Sequence, residues 1–223
     1  MSKRTRNYFI VTGILFVLFI IFTVLVMTAD VQPIGPEGSS VGLASVNGVF
    51  ADAIGVNKAW YGITDLLGYA AIAVIGVFAV IGVIQFIKRK SFVKVDREIL
   101  ALGALYILII CVYGLFEVVE INYRPIIMDA AEGLEASYPS SHTMLVSCVM
   151  LTTIMYANRK IASFSLRAVI DIIAISTAVI TVIGRAISGV HWLTDIIAGV
   201  ILSAAIAALY YSALCLIDDK QDK

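Results

Sequence analysis

The stretch "YFIVTGILFVLFIIFTVLVM", residues 8–27, decides the fold. It carries no charge, and about 20 apolar residues in a helix cross the roughly 30 Å of hydrocarbon in a bilayer. The charged "MSKRTRN" before it resembles the start of a secretory signal. The run is too long for the apolar core of such a signal, and no clear small-x-small cleavage site follows, so a retained span is expected. Further runs extend the pattern to six spans, at about 8–28, 61–87, 99–122, 140–157, 167–187 and 192–216. The spans at 140–157 and 192–216 begin with polar residues. The chain is 61% hydrophobic with a mean hydropathy of +0.98, where a soluble domain is roughly 45–50% apolar. Backbone groups in lipid must bond internally, and no alternating strand pattern appears, so the spans read as helices. The expected fold is all-α: a polytopic membrane protein, six transmembrane helices in one bundle, with residues 1–223 as a single membrane domain. No internal repeat or low-complexity segment interrupts it.

Lysine and arginine set the orientation. Thirteen of the sixteen fall on one side of this topology: Lys3, Arg4 and Arg6; Lys88, Arg89, Lys90, Lys94 and Arg97; Arg159, Lys160 and Arg167; Lys220 and Lys223. That side is expected to be the cytoplasm, with both termini there. Only Lys58, Arg124 and Arg185 fall on the other side, which also holds all four prolines. The longest outer loop, 30–60, reads either as a plain connection or as a short interfacial helix near the point of lipid entry. The inner "KRKSFVKVDR", residues 88–97, reads as a basic interfacial clamp. Cys111, Cys148 and Cys215 lie within spans and read as packing residues, not as a zinc site or disulfide framework. The formal net charge is zero, which gives nucleic-acid binding no support.

The chain has two histidines, His142 in "YPSSHT" and His191 in "GRAISGVHWLTD". His191 and Asp195 are four apart, so on a helix they share a face. The acid could fix one imidazole nitrogen and leave the other as nucleophile or base. Both histidines open outward-facing helix N-termini, where free N–H groups and the positive dipole end gather, a place that suits phosphate. Arg124 closes the third span and Arg185 nearly closes the fifth, at the same depth. Singly, each residue has an ordinary explanation: a hydrated cap for a histidine, snorkelling for an arginine, N-caps for Ser140 and Ser141. Together they make a phosphoryl-transfer site.

At these residues the chain resembles the type 2 phosphatidate phosphatase (PAP2) family, relatives of vanadium haloperoxidases and glucose-6-phosphatase. Three sequence blocks carry that family, and the match spans about residues 99–216, with the catalytic motifs within 117–195. The block Ser-Arg, five residues, His, three residues, Asp is met by Arg185, His191 and Asp195, with Gly184 in place of Ser. Pro-Ser-Gly-His is met by Pro139, Ser140, Ser141 and His142. Lys, six residues, Arg-Pro is met at Arg124 and Pro125, but Glu117 stands at the Lys position. The resemblance implies that His191 attacks phosphorus and forms a phosphohistidine, with Asp195 orienting it. It implies that His142 protonates the leaving oxygen and then activates water. Arg124, Arg185 and the Ser140–Ser141 backbone would hold the equatorial oxygens. No metal and no other cofactor is implied.

Ser141 keeps its N–H, so phosphate binding need not suffer. Glu117 replaces a cation with an anion at a substrate-binding position. It is expected to pair with Arg124 or Arg185; the alternatives are a protonated donor or a contact with a cationic headgroup. The implied partners are the bilayer and a phosphorylated lipid. The expected enzyme is a metal-independent lipid phosphatase of the cell membrane with its site facing out. Undecaprenyl pyrophosphate is the favoured substrate, ahead of phosphatidylglycerol phosphate and phosphatidic acid. A soluble-phosphate hydrolase and a catalytically silent lipid-binding or transport relative, supported by Glu117, are the readings from other classes.

Overall fold

The computed structural model describes residues 1–131 and 133–221. Lys223, counted above among the inner basic residues, lies outside them. The chain is all-helical: α1 (Lys3–Thr28), α2 (Ala44–Ile54), α3 (Lys58–Arg89), α4 (Arg97–Val118), α5 (Ser141–Lys160), α6 (Phe164–Ser188) and α7 (Leu193–Gln221). Short 3-10 turns occupy Pro36–Gly38 and Phe92–Lys94. Among the described residues the only β pairing is two isolated bridges, Gln32 with Val41 and Tyr123 with Ala136.

Five helices, α1, α3, α4, α6 and α7, are long and apolar enough to cross a membrane. Their exposed flanks are lined with Ile, Val, Leu and Phe, including Ile14, Ile20, Val77, Ile110 and Ile172. A soluble surface would not carry apolar faces of that extent. The expected span at 140–157, which begins with polar residues, corresponds to α5, and α5 is not among these five. This helix has the length, 20 residues, but its sequence "SHTMLVSCVMLTTIMYANRK" is too polar to qualify. The reason is its position. α5 packs against α3, α4, α6 and α7, and Val146, Cys148, Val149 and Thr152 are fully buried. A helix enclosed by protein needs no lipid-compatible face. Its hydroxyls bond locally or across to neighbours: Thr152 donates to the Cys148 carbonyl at 2.8 Å and lies 3.2 Å from the Tyr106 hydroxyl.

In lipid, helices associate through close packing at small residues and through interhelical hydrogen bonds worth about 0.6 kcal/mol each. Both devices are present. Thr12 of α1 and Ser212 of α7 share a hydrogen bond at 3.1 Å. Gly199 of α7 runs so close to α5 that an added Cβ would stand 3.0 Å from the Ser140 carbonyl oxygen and 3.0 Å from Thr143. At the basic end, Lys160 reaches Glu98 at 2.9 Å and Arg159 reaches Asp218 at 2.5 Å, joining α5 to α4 and α7. The expected clamp at 88–97 closes on itself through Arg89 and Asp96, 2.7 Å apart.

Between the two readings of the 30–60 loop, the helix is present as α2. It packs on α6 and α7, pinned by Asn47, which donates to the Gly42 carbonyl and to the Thr194 hydroxyl and accepts from the Thr194 N–H. The helix thus buttresses the start of α7. α4 stops at Val118, four residues short of the expected span, and Arg124 lies in the loop beyond it.

The basic residues predict which end faces the cytoplasm. In a variant with the three native cysteines replaced by alanine, Ala130→Cys should react in intact cells with a membrane-impermeant maleimide. Val93→Cys should react only after permeabilisation. The opposite pattern would put the histidine end in the cytoplasm.

Candidate active site

The segment that opens α7 is built around Asp195. Trp192 caps the helix, and its N–H donates back to Asp195 Oδ2 at 3.0 Å, the return half of a capping box. Asn122 Nδ2 donates to Asp195 Oδ1 at 3.0 Å. The Asp195 carbonyl in turn accepts the Ser140 N–H at 3.0 Å. One buried residue therefore joins the starts of α5 and α7 to the loop that carries Arg124. Gly189, at φ +67°, ends α6 in the left-handed turn that sends the chain into His191.

His191 precedes α7 rather than lying on it, and it is only 2% exposed. Its Nδ1 stands 3.7 Å from Asp195 Oδ2, beyond hydrogen-bond reach, and neither ring nitrogen has a protein partner. The expected shared face is therefore a near approach across the capping turn, with both carboxylate oxygens already engaged. Burial pushes the imidazole below its ordinary range; Asp195 opposes this, and the guanidiniums of Arg124 and Arg185 reinforce it. His191 is thus held neutral with a lone pair available.

His142 lies in the first turn of α5. Ser140 is the cap residue, but its hydroxyl is buried without a partner and its N–H is spent on Asp195. The expectation that this N–H holds a phosphate oxygen is corrected on that ground. Ser141 follows as the first helical residue and lines the cavity below.

The two arginines each meet a carboxylate. Arg124 Nε approaches Glu135 Oε2 at 2.8 Å, off the N–H axis, and its Nη1 is buried without a partner. Arg185 is fully buried in the last turn of α6. Its Nη2 reaches Asp65 Oδ1 at 2.5 Å and its plane lies over the Tyr61 ring, 5.0 Å from the centroid. Its Nε and Nη1 have no partner. Glu117, expected to pair with one of these arginines, makes no ion pair among the described residues; Glu135 and Asp65 hold those places. Glu132 lies outside the described residues.

A cavity of about 440 Å³ opens here, lined by Glu117, Glu120, Arg124, Glu135, Ser141, His142 and His191 among others. Arg185 and Asp195 are fully buried beside it. Ser141, His142, Tyr113 and Met144 also border a second, apolar cavity of about 620 Å³ between α3 and α4. That groove shares Ile75 and Ile110 with a third of about 800 Å³, which reaches Phe92 and Val95 at the basic end.

Gly184, where the family block has Ser, has a packing cause. A Cβ there would stand 2.6 Å from Thr64 Cγ2 and 3.0 Å from the Trp60 ring. α3 and α6 meet too closely for a side chain.

Sequence reading missed two residues of this constellation. Asp65 is the only acidic residue in α3, and an isolated ionisable group in an apolar span is a functional candidate by default. Asn122 lies within "NYRP", but nothing in its spacing marks it.

Residues 114–215 match the family model of the PAP2 superfamily. The fold is similar to that in the crystal structure of a transmembrane PAP2 type phosphatidylglycerolphosphate phosphatase from Bacillus subtilis. The TM-score is 0.60 at 19% identity, over 94% of this chain and 96% of that one. No curated protein sequence matches.

Asn122 should be a stability determinant. Asn122→Ala leaves a buried carboxylate short of one donor, a loss of about 2 kcal/mol, read as a lower midpoint of thermal unfolding in detergent. Asn122→Asp sets a second carboxylate against Asp195 and should cost more. A midpoint unchanged in both would remove Asn122 from the scaffold of the site.

Proposed function

We propose, from the match of residues 114–215 to the family model of the PAP2 superfamily, that the chain is a membrane lipid phosphatase working through a phosphohistidine on His191. The observation that carries this reading is the meeting of two histidines and two arginines beside a cavity that shares Tyr113, Ser141, His142 and Met144 with an apolar groove. A phosphate in the cavity can leave its tail in the groove, still in the bilayer.

The chemistry follows from which atoms are free. Asp195 lies on the Nδ1 side of His191, so Nε2 attacks phosphorus as the bond to the leaving oxygen breaks. His142 gives its proton to that oxygen. Water then attacks the phosphohistidine, His142 takes a water proton, and the N–P bond breaks to release inorganic phosphate. Arg124 and Arg185, with unpartnered donors at the site, bind the equatorial oxygens as charge builds on them. The depressed basicity of His191 keeps it nucleophilic at neutral pH.

The substrate is a phosphate or pyrophosphate monoester of a lipid, with undecaprenyl pyrophosphate favoured. From Asp65 to Phe86 the α3 wall of the groove runs about 32 Å at 1.5 Å per residue, which suits one long tail. Phosphatidylglycerol phosphate and phosphatidic acid are the alternatives, the first being the substrate named for the Bacillus subtilis protein. The reaction takes place on the extracytoplasmic face.

Purified protein should release phosphate from these lipids and not from glucose 6-phosphate. His191→Ala should release none, and His142→Gln should slow turnover by roughly 10²–10⁴-fold. Equal cleavage of the sugar phosphate would sink the lipid reading. Residual turnover in His191→Ala would mean that another group is the nucleophile.

A further inference from the structure

Asp65 has no part in the three sequence blocks, yet one of its oxygens makes two contacts with the site. Oδ1 lies 3.1 Å from His142 Nε2, off the ring N–H axis, and 2.5 Å from Arg185 Nη2. The carboxylate side chain is 28% exposed and borders the apolar groove beside His142. Gly68, one turn along α3, supports the same edge of the ring: a Cβ there would stand 2.9 Å from His142 Cδ2 and 3.1 Å from Nε2. α3 thus packs against the Nε2–Cδ2 edge of His142 and leaves the Nδ1 edge facing away from it. On α6, Arg185 is fully buried, and a buried guanidinium is costly without a counter-ion.

We propose that Asp65 is the positioning residue for both His142 and Arg185, fixing the acid–base group and one phosphate-binding cation as a single unit. This rests on the phosphatase reading above. A small turn of the ring brings the Nε2–H of His142 onto Asp65 Oδ1, which holds it throughout the cycle, so the moving proton is confined to Nδ1. In the first half that proton passes from Nδ1 to the leaving oxygen while the P–O bond breaks and the P–N bond to His191 forms. In the second half Nδ1 takes a proton from the attacking water while the P–N bond breaks. The protein then holds two acid–imidazole pairs, Asp195 with the nucleophile and Asp65 with the proton carrier. The second pair is shared with an arginine, so the phosphate contact and the proton carrier keep a fixed separation.

Two measurements test this. With ¹⁵N-labelled histidine, only two imidazoles report, and His142→Gln assigns them. The neutral His142 of the parent should be the Nε2–H tautomer. A Nδ1–H tautomer would overturn the proposal without need of any variant. The second measurement is Asp65→Asn, which keeps the shape and removes the charge. For a lipid monophosphate, turnover should fall on the order of 10²-fold, while inorganic phosphate inhibits more tightly because Arg185 is released from its carboxylate. For p-nitrophenyl phosphate, whose leaving group needs no protonation, the first-turnover burst of p-nitrophenolate should fall much less than the first turnover of the lipid. An equal loss in the first turnover of both substrates, or weaker phosphate binding, would mean that Asp65 only supports the fold. If the parent cleaved no phosphate ester, the phosphatase reading would fail, and the tautomer would still decide whether Asp65 governs His142.

Discussion

The bonding of Asp195 is the constraint on which the site depends. Its side chain takes one donor from Trp192 and one from Asn122, and its carbonyl takes the Ser140 N–H. Those bonds hold two helix starts and a long loop in register. Each start carries a histidine and the loop carries Arg124. A buried carboxylate with fewer donors would be too costly to keep charged, so site geometry and fold stability rest on the same atoms.

The positive charge of the site is balanced before any substrate arrives. Arg185 has Asp65, and Arg124 has Glu135. Each arginine still keeps donor nitrogens free and buried. A cation at this depth without a counter-ion would be expensive, and one fully satisfied would be useless to a phosphate. The arrangement answers both demands by pairing each guanidinium on part of its donor set.

Much of this was legible in the sequence. The apolar runs of α1, α3, α4, α6 and α7 read directly as helices because lipid permits little else. The spacing of Arg185, His191 and Asp195 is local, so it survives translation into one short segment. Other features depend on contacts far apart in the chain. α5 looked like one more span, and only its enclosure by α3, α4, α6 and α7 explains its polarity. Glu117 drew attention through its position in a pattern, yet the carboxylates beside the arginines are Asp65, 120 residues from Arg185, and Glu135 on a returning loop. No local rule connects such pairs. The cause of Gly184 in place of Ser is likewise distant in the chain: α3 is pressed against it through Thr64 and Trp60.

The groove between α3 and α4 is walled by residues that also face outward, such as Tyr69, Ile72 and Ile110. If the protein acts as proposed, a lipid tail resting there never leaves the plane of the membrane, whereas water and inorganic phosphate reach the same His142 through the polar cavity. The two reactants therefore approach in different dimensions. Occupancy by the lipid follows its mole fraction among other lipids, so dilution by inert lipid slows the reaction while dilution of the whole suspension does not. Phosphate, once freed, disperses into bulk solvent, but the dephosphorylated lipid lingers at surface density and competes for the groove.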